Sequence, residues 1–211
     1  MKMKLMSIAF AALLAISLTH QLARAESAEA DPISEANILL DPEIPVIGNL
    51  KGDITVVEWF DYRCPYCKKV NPDLLKVVQE DGHVRLVFKE WPVFGDVSIY
   101  AAKLAIAAKY QNKYAEAHEA LISATQKLTE DNVQSALAKA GIDVERAKLD
   151  LAANQKAIEA LLARNHEQAL ALEFQGTPSF IVGKFRVPGV LDAKTLKQVI
   201  AEARTAGTKG K

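Results

Sequence analysis

Cysteine is scarce in this chain of 211 residues, which contains only Cys64 and Cys67. Two thiols cannot build a disulfide framework, and a chain of this length buries a sufficient core without one. A structural zinc site needs four ligands, and the histidines beyond the N-terminal region, His83, His118 and His166, have no paired ligand spacing. We therefore expect neither a metal nor another cofactor.

An excess of charge of one sign is also lacking. The chain has 26 Lys and Arg residues against 26 Asp and Glu residues. Loss of a leader that contains Lys2, Lys4 and Arg24 would leave 23 basic residues against the same 26 acidic ones, a net charge of −3. Such a composition suggests neither a nucleic-acid binder nor a polyanion sensor, so we expect no nucleic-acid partner.

Long apolar runs are absent except near the N-terminus, from Leu5 to Leu18. Two lysines precede this run, and Ala23 and Ala25 follow at the positions that signal peptidase recognises. A membrane-spanning helix needs roughly 20 apolar residues, more than this run supplies. We therefore predict a signal peptide, residues 1–25, that is cleaved after Ala25, and export to a compartment in which disulfides persist.

The two cysteines lie where a strand is predicted to give way to a helix. The segment "DITVVEWF" (53–60) is β-branched and apolar on both faces, which indicates a buried strand. In "CPYCKKV" Pro65 fits the first turn of a helix, so Cys64 lies near the N-cap. Backbone N–H groups and the helix dipole there favour a thiolate on Cys64. Cys67 lies about one turn further on, and the two sulfurs can close a small ring.

Three interpretations of the cysteine pair remain: half of a zinc site, a structural disulfide, or a redox pair. A structural disulfide with so short a loop would remove little entropy from the unfolded chain. A redox pair would account for three features at once, namely the position at a helix terminus, the spacing of the cysteines and the exported location. We favour the redox pair, with Cys64 as the exposed, acidic nucleophile and Cys67 as the buried resolving thiol.

Further elements are predicted on both sides of a long helical segment. The helix that begins near Cys64 should continue to about Glu80 and contain Pro72 as an interior, kinking proline. The segment "HVRLVFKEWP" (83–92) alternates like a strand. "FQGTPSFIVGKFRVPG" (174–189) indicates two strands joined at Gly183, and "DAKTLKQVIAEAR" (192–204) indicates a closing helix.

The motifs "EWFDYRCPYC", "FKEWP" and "GTPSF", together with Pro72, resemble the thioredoxin superfamily. Within it, the chain resembles the DsbA-like branch of periplasmic oxidases and ScsC-like proteins. The resemblance implies an α/β fold, a thioredoxin fold with an inserted all-helical domain. It also implies a periplasmic location, a cis Pro178 opposite Cys64, and a Thr177 backbone that pairs with a substrate chain.

This fold divides the chain into a signal peptide (1–25), an N-terminal arm (26–51), a thioredoxin-like domain in two parts (52–95 and 175–205) and a helical insertion (96–174). The insertion contains no proline and is rich in Ala, Leu, Lys and Glu, so only helices are expected there. It is expected to act mainly as scaffold and to cover one side of the active site.

Glu58 precedes Cys64 by six residues on the strand interpreted as buried. A carboxylate in that position is costly unless it is paired or neutral, and Lys89 on the neighbouring strand is the expected partner. Glu58 could simply lie at a solvated sheet edge. The functional interpretation, which we favour, is that burial raises its pKa and that it accepts and returns the proton of Cys67. Pro65 and Tyr66 are expected to tune the redox potential.

The predicted function is thiol-disulfide exchange that introduces disulfides into secreted proteins. Expected partners are reduced or misfolded secreted proteins and a membrane protein that resets the thiols. A disulfide isomerase or reductase of the ScsC or DsbG type, or a holdase, stays open. An isomerase gains from oligomerisation, but the arm (26–51) contains three prolines and has room for one short helix, which favours a monomer.

Overall fold

The computed structural model describes residues 31–208. The predicted signal peptide, its cleavage site after Ala25 and the first residues of the arm lie outside the described residues. In the part that is described, no helix is both long enough and apolar enough to cross a membrane.

The centre of the molecule is a five-stranded sheet with the order β1-β3-β2-β4-β5. The strands are β1 (Val46–Gly48), β2 (Ile54–Phe60), β3 (Val84–Glu90), β4 (Ser179–Val182) and β5 (Phe185–Pro188). β2 and β3 are parallel, and the other neighbouring pairs are antiparallel. β2 therefore occupies the middle of the sheet, which agrees with its apolar sequence.

Eight α-helices surround this sheet within residues 31–208. They are α1 (Glu35–Leu39), α2 (Pro65–Asp81), α3 (Asp96–Ala107), α4 (Tyr114–Ile122), α5 (Glu130–Lys139), α6 (Val144–Ala153), α7 (Gln155–Ala171) and α8 (Ala193–Thr208), with a 3-10 turn at Ala108–Gln111. The helices α3 to α7 lie between β3 and β4 in the chain, so the thioredoxin fold with a helical insertion is confirmed.

Local sequence signals explain several helix ends. The side chain of Thr129 accepts a hydrogen bond from Asn132 N at the start of α5, and Asp143 accepts one from Arg146 N at the start of α6. α2 ends at Gly82, which adopts a left-handed conformation with φ of 71°. Pro72 lies inside α2, as expected from the sequence.

The described part of the N-terminal arm packs on the molecule's own core. It forms the short helix α1, as predicted, and also β1, which the sequence did not indicate. Ile38 and Ile44 from this arm are buried. Arg164 on α7 binds Asp41 at 2.9 Å and Glu43 at 2.7 Å. The arm is therefore attached to both the sheet and the helical insertion.

The insertion lies against α2 near the cysteines. The Lys68 ammonium donates a hydrogen bond of 2.5 Å to Ala124 O, just after α4. Asn71 Nδ2 donates one of 3.3 Å to Glu119 Oε2 on α4. These contacts place the insertion beside the helix that carries the redox pair.

Candidate active site

Cys64 is the N-cap residue of α2, and Pro65 occupies the first turn. The Cys64 backbone N–H donates to Asp61 O at 3.0 Å, which forms a tight turn after β2. Proline lacks an N–H and is preset for the helix, so this sequence starts α2 directly at the nucleophile. The unpaired N–H groups of the first turn consequently point toward the Cys64 sulfur.

The two thiols are free and have opposite acidities. A hydrogen bond from the Cys67 thiol, assisted by bonds from Thr177 and from backbone N–H groups of the first turn, lowers the pKa of Cys64 to about 6, although burial opposes this shift. Burial, together with the hydrogen bond to Cys64 and the charge of Glu58, raises the pKa of Cys67 far above the ordinary thiol range. Near neutral pH, Cys64 is therefore a thiolate and Cys67 a thiol.

The expectation that Cys64 is exposed is wrong, because the residue is only 1 % exposed. Its sulfur lies against the loop before β4, and in the thiol form it donates a hydrogen bond to Thr177 O at 3.2 Å. Cys67 is buried beneath it. The acidity expected for Cys64 thus arises at the helix terminus, while a neighbouring loop covers the sulfur.

The covering loop contains the cis peptide bond Thr177–Pro178, which the resemblance implied. The contact between Cys64 and Thr177 O places this bond opposite the nucleophile, also as expected.

Glu58 lies on β2, between β3 and β4, and is 2 % exposed. The solvated-edge interpretation is therefore excluded. Burial, and then the charge of Cys64, raise the pKa of Glu58 well above its usual range. Its charge in turn contributes to the raised pKa of Cys67, so the carboxyl lies close enough to interact with both thiols.

Comparison with known proteins agrees with this geometry. The family model described as "Thioredoxin" matches residues 41–202. A thioredoxin-like oxidoreductase from Silicibacter pomeroyi DSS-3 is 38 % identical, with a TM-score of 0.78, 81 % of this chain covered and 98 % of that one. The thiol-disulfide exchange protein alpha-DsbA2 from Wolbachia pipientis is 26 % identical, with a TM-score of 0.75, 85 % of this chain covered and 97 % of that one.

The chain belongs to the thioredoxin family. Its relatives above 25 % identity place it among the DsbA-like thiol-disulfide oxidoreductases that the sequence predicted.

A longer protein also contains a related segment. The Na(+)/H(+) antiporter NhaA 1 from Salinispora arenicola is 28 % identical over 191 residues, which cover 89 % of this chain. The chain spans only 29 % of the length of that antiporter.

Lys89 is not the partner of Glu58 in this thioredoxin-family chain, so that prediction is wrong. In the parallel pairing, Glu58 is in register with Phe88, and Lys89 is in register with Trp59. Side chains alternate along a strand, so Glu58 and Lys89 project from opposite faces of the sheet. The Lys89 ammonium donates instead to Gln168 Oε1 at 2.7 Å and to Asn37 O at 3.2 Å.

A buried polar cluster between the active-site turn and the insertion could not be predicted from the sequence. Tyr114 donates a hydrogen bond of 2.6 Å to Glu90 Oε1, and burial raises the pKa of Glu90 to about 7. The Tyr62 hydroxyl lies 3.5 Å from His118 Nδ1, and burial lowers the pKa of His118 to about 3. His118 lies on an apolar helix face, and such a position does not by itself distinguish a packed histidine from a functional one.

Among residues 31–208, no group of three or more His, Cys, Asp or Glu side chains comes together as a metal site would require. The chemistry available at this site is that of the two thiols, the buried carboxyl and the backbone of the cis-proline loop.

Proposed function

We propose that the protein is a thiol oxidase that introduces disulfides into secreted proteins. In the oxidised protein, a substrate thiolate attacks the Cys64 sulfur, and Cys67 leaves with a proton from Glu58. A second substrate thiolate then attacks the substrate sulfur of the mixed disulfide, and Cys64 leaves as a thiolate. Two electrons pass from the substrate thiols to the cysteine pair, which ends as one thiolate and one thiol.

The observation that carries this proposal is the opposite acidity of the two cysteines. The pKa of Cys64 is lowered to about 6, against about 8.5 for a free thiol. At pH 7 this difference stabilises the reduced protein by about 1.4 kcal/mol, which corresponds to about 30 mV in a two-electron couple. A stabilised reduced form makes the disulfide an oxidant, and this magnitude supports moderate oxidising strength.

The remaining site residues have supporting roles in the proposal. Thr177 would offer its backbone to an extended substrate beside the mixed disulfide, with Pro178 shaping that surface. Pro65 and Tyr66 would tune the stability of the thiolate, because Pro65 supplies no N–H and the Tyr66 side chain, 60 % exposed, points away from the core.

The N-terminal arm favours an oxidase over an isomerase. An isomerase must hold a misfolded chain while its disulfides rearrange, and a cleft between subunits assists this task. Within residues 31–51 the arm contributes α1 and β1 to its own domain and buries Ile38 and Ile44 there. An arm that packs on its own domain in this way supports a monomeric protein.

The predicted location and partners belong to the same proposal. Export through the signal peptide would place the protein in the periplasm, where reduced or misfolded secreted chains are the substrates. Each round leaves the pair reduced, so a membrane redox partner is required to restore the disulfide.

Two assays on purified mature protein test the direction of exchange. Reduced, unfolded ribonuclease A measures oxidation, and scrambled ribonuclease A measures isomerisation; glutathione disulfide serves as the oxidant in the first assay. We expect rapid oxidation, weak rescue of the scrambled form and a monomer in sedimentation. Strong rescue of scrambled ribonuclease with poor oxidation, or a stable dimer or trimer, would support the isomerase instead. Binding of unfolded ribonuclease without exchange would support the holdase.

A further inference from the structure

Asp61, three residues before Cys64, is a buried carboxylate that accepts four hydrogen bonds. Its Oδ1 accepts from Arg63 N at 2.7 Å and from the Ser98 hydroxyl at 2.8 Å. Its Oδ2 accepts from Val93 N at 2.7 Å and from Phe94 N at 3.0 Å. The four donors occupy all the acceptor positions of the carboxylate. Hydrogen bonds to a charged group are stronger than hydrogen bonds between neutral groups.

These bonds join two separate parts of the chain. One part is the turn 61–64 that leads into the nucleophile, where Cys64 N also donates to Asp61 O at 3.0 Å. The other is the segment 93–98, which connects β3 to the start of α3. The Arg63 guanidinium adds a hydrogen bond to Phe94 O between the same two parts.

The backbone and the side chain of Asp61 have different contacts. The backbone contacts the redox pair, since its O accepts from Cys64 N and its N–H lowers the pKa of Cys67. The carboxylate, by contrast, binds mainly the 93–98 segment. A change confined to the carboxylate should therefore act on that segment more than on the thiols.

The segment held by Asp61 exposes apolar side chains. Val93 is 44 % exposed and Phe94 is 46 % exposed. Their backbone N–H groups are both bound to Asp61, so the direction of these two side chains depends on that carboxylate. An extended, unfolded polypeptide exposes apolar side chains that such a surface would contact, whereas a small thiol such as glutathione would not need them.

We infer that Asp61 is a positioning residue that holds Val93 and Phe94 beside the active-site turn and thereby sets the affinity for unfolded polypeptide substrates. The inference rests on the proposed function, because it specifies how the same site recognises its substrate. Asp61 touches neither the substrate nor the reacting sulfurs with its carboxylate. Asp61 affects substrate affinity through the side chains of Val93 and Phe94.

The variant Asp61→Asn tests this inference. An amide keeps the size of the side chain but has only one acceptor oxygen, so two of the four donors lose their partner. Asp73→Asn is the matched control, since Asp73 is an exposed residue of α2 and the chemical change is the same. Phe94→Ala removes the apolar side chain itself.

The measurement is single-turnover oxidation of reduced, unfolded ribonuclease A by the oxidised protein, over a range of substrate concentrations. We expect Asp61→Asn and Phe94→Ala each to raise the half-saturating concentration about fivefold or more, with the maximal rate within about twofold. Exchange with reduced glutathione should change less than about twofold. The combined loss in the double variant should be smaller than the sum of the two single losses, because both changes act in part through Phe94.

Amide hydrogen exchange gives a second readout that does not depend on a substrate. The N–H groups of Val93 and Phe94 should exchange about tenfold faster or more in Asp61→Asn than in the wild type or in Asp73→Asn. If Asp61→Asn does not fold, Ser98→Ala removes one of the four donors and leaves the carboxylate in place. Ser98→Ala should then raise the half-saturating concentration in the same direction.

Three results would overturn the role of Asp61. They are an unchanged half-saturating concentration in a folded Asp61→Asn, an equal loss with ribonuclease and with glutathione, or, where Asp61→Asn does not fold, no effect of Ser98→Ala. A wild-type protein that exchanges with glutathione but oxidises no ribonuclease would overturn the proposed function itself. The two failures are therefore distinguishable.

Discussion

Two ionisable side chains, Glu58 and Lys89, are buried on opposite faces of the same pair of strands. The Lys89 ammonium has two oxygen acceptors and lies 5.6 Å from the centre of the Trp59 ring. Within residues 31–208 the Glu58 carboxyl has no hydrogen bond or ion pair, and it interacts electrostatically with the two thiols. The two groups therefore differ in their contacts despite similar burial.

Burial lowers the pKa of Lys89 to about 7, and two oxygen acceptors fix the position of its amino group. Lys89 ties β3 to α1 and α7 through Asn37 and Gln168. A buried carboxyl without partners prefers to be neutral, so it can give or take a proton when a neighbouring group changes charge. We therefore propose that Lys89 has a structural role, whereas Glu58 exchanges a proton with Cys67.

The largest expected effect is the loss of exchange in Cys64→Ser. Serine cannot form a disulfide, so oxidation of reduced ribonuclease A should fall by about a thousandfold or more. The melting temperature should stay close to that of the reduced wild type, because the change is nearly isosteric. Retention of exchange in Cys64→Ser with loss in Cys67→Ser would show that the nucleophile was assigned to the wrong cysteine.

Removal of the ammonium on the opposite face should affect stability instead. Lys89→Ala leaves a cavity and leaves Gln168 Oε1 without its buried donor, which should cost about 3 kcal/mol of unfolding free energy. Denaturant unfolding of the oxidised protein measures this loss. The exchange rate of the folded variant should stay within about twofold of the wild type. A large loss of rate without a loss of stability would show that the two faces are not separable.

Glu58→Gln should give the reverse result. Glutamine cannot take the proton of Cys67, so reoxidation of the reduced protein by glutathione disulfide should slow by about thirtyfold at pH 7. The amide replaces a buried carboxyl of equal size, and the unfolding free energy should not fall. An unchanged reoxidation rate would remove Glu58 from the proton path.

The smallest expected effect is a pH dependence that distinguishes the reduced from the oxidised protein. Because the folded pKa of Cys64, about 6, lies below that of a free thiol, about 8.5, unfolding of the reduced form takes up a proton between these values. This pKa shift contributes to the unfolding free energy of the reduced form and not to that of the oxidised form. The contribution should be lost as pH falls from about 8.5 to about 6, and it should amount to about 1.4 kcal/mol at pH 7.

Thiolate absorbance and unfolding at several pH values measure this effect. The absorbance of reduced protein should titrate with a midpoint near 6, and this titration should be absent from Cys64→Ser. Glu58→Gln should shift the midpoint only slightly, because the hydrogen bond from the Cys67 thiol is the largest cause of the lowered pKa of Cys64. A midpoint near 8.5 would contradict the role of the helix terminus.

Most of the local structure could be predicted from the sequence. The limits of β2 and α2 follow from the apolar run that ends at Phe60 and from the Pro65 signal, and the closing hairpin follows from Gly183. β1 could not be predicted, because three residues at a sheet edge, Val46–Gly48, have too little pattern to distinguish them from a loop.

The sequence by itself determined the redox pair, its place at a helix N-terminus and the local part of the acidity of Cys64, because these properties depend on neighbours within a few positions. Only the tertiary structure decided which groups meet across the fold. It placed Lys89 on the far face from Glu58, covered the Cys64 sulfur with Thr177 and bound Asp61 to the 93–98 segment. Such contacts depend on strand register and loop packing, and neither spacing nor composition along the chain encodes them locally.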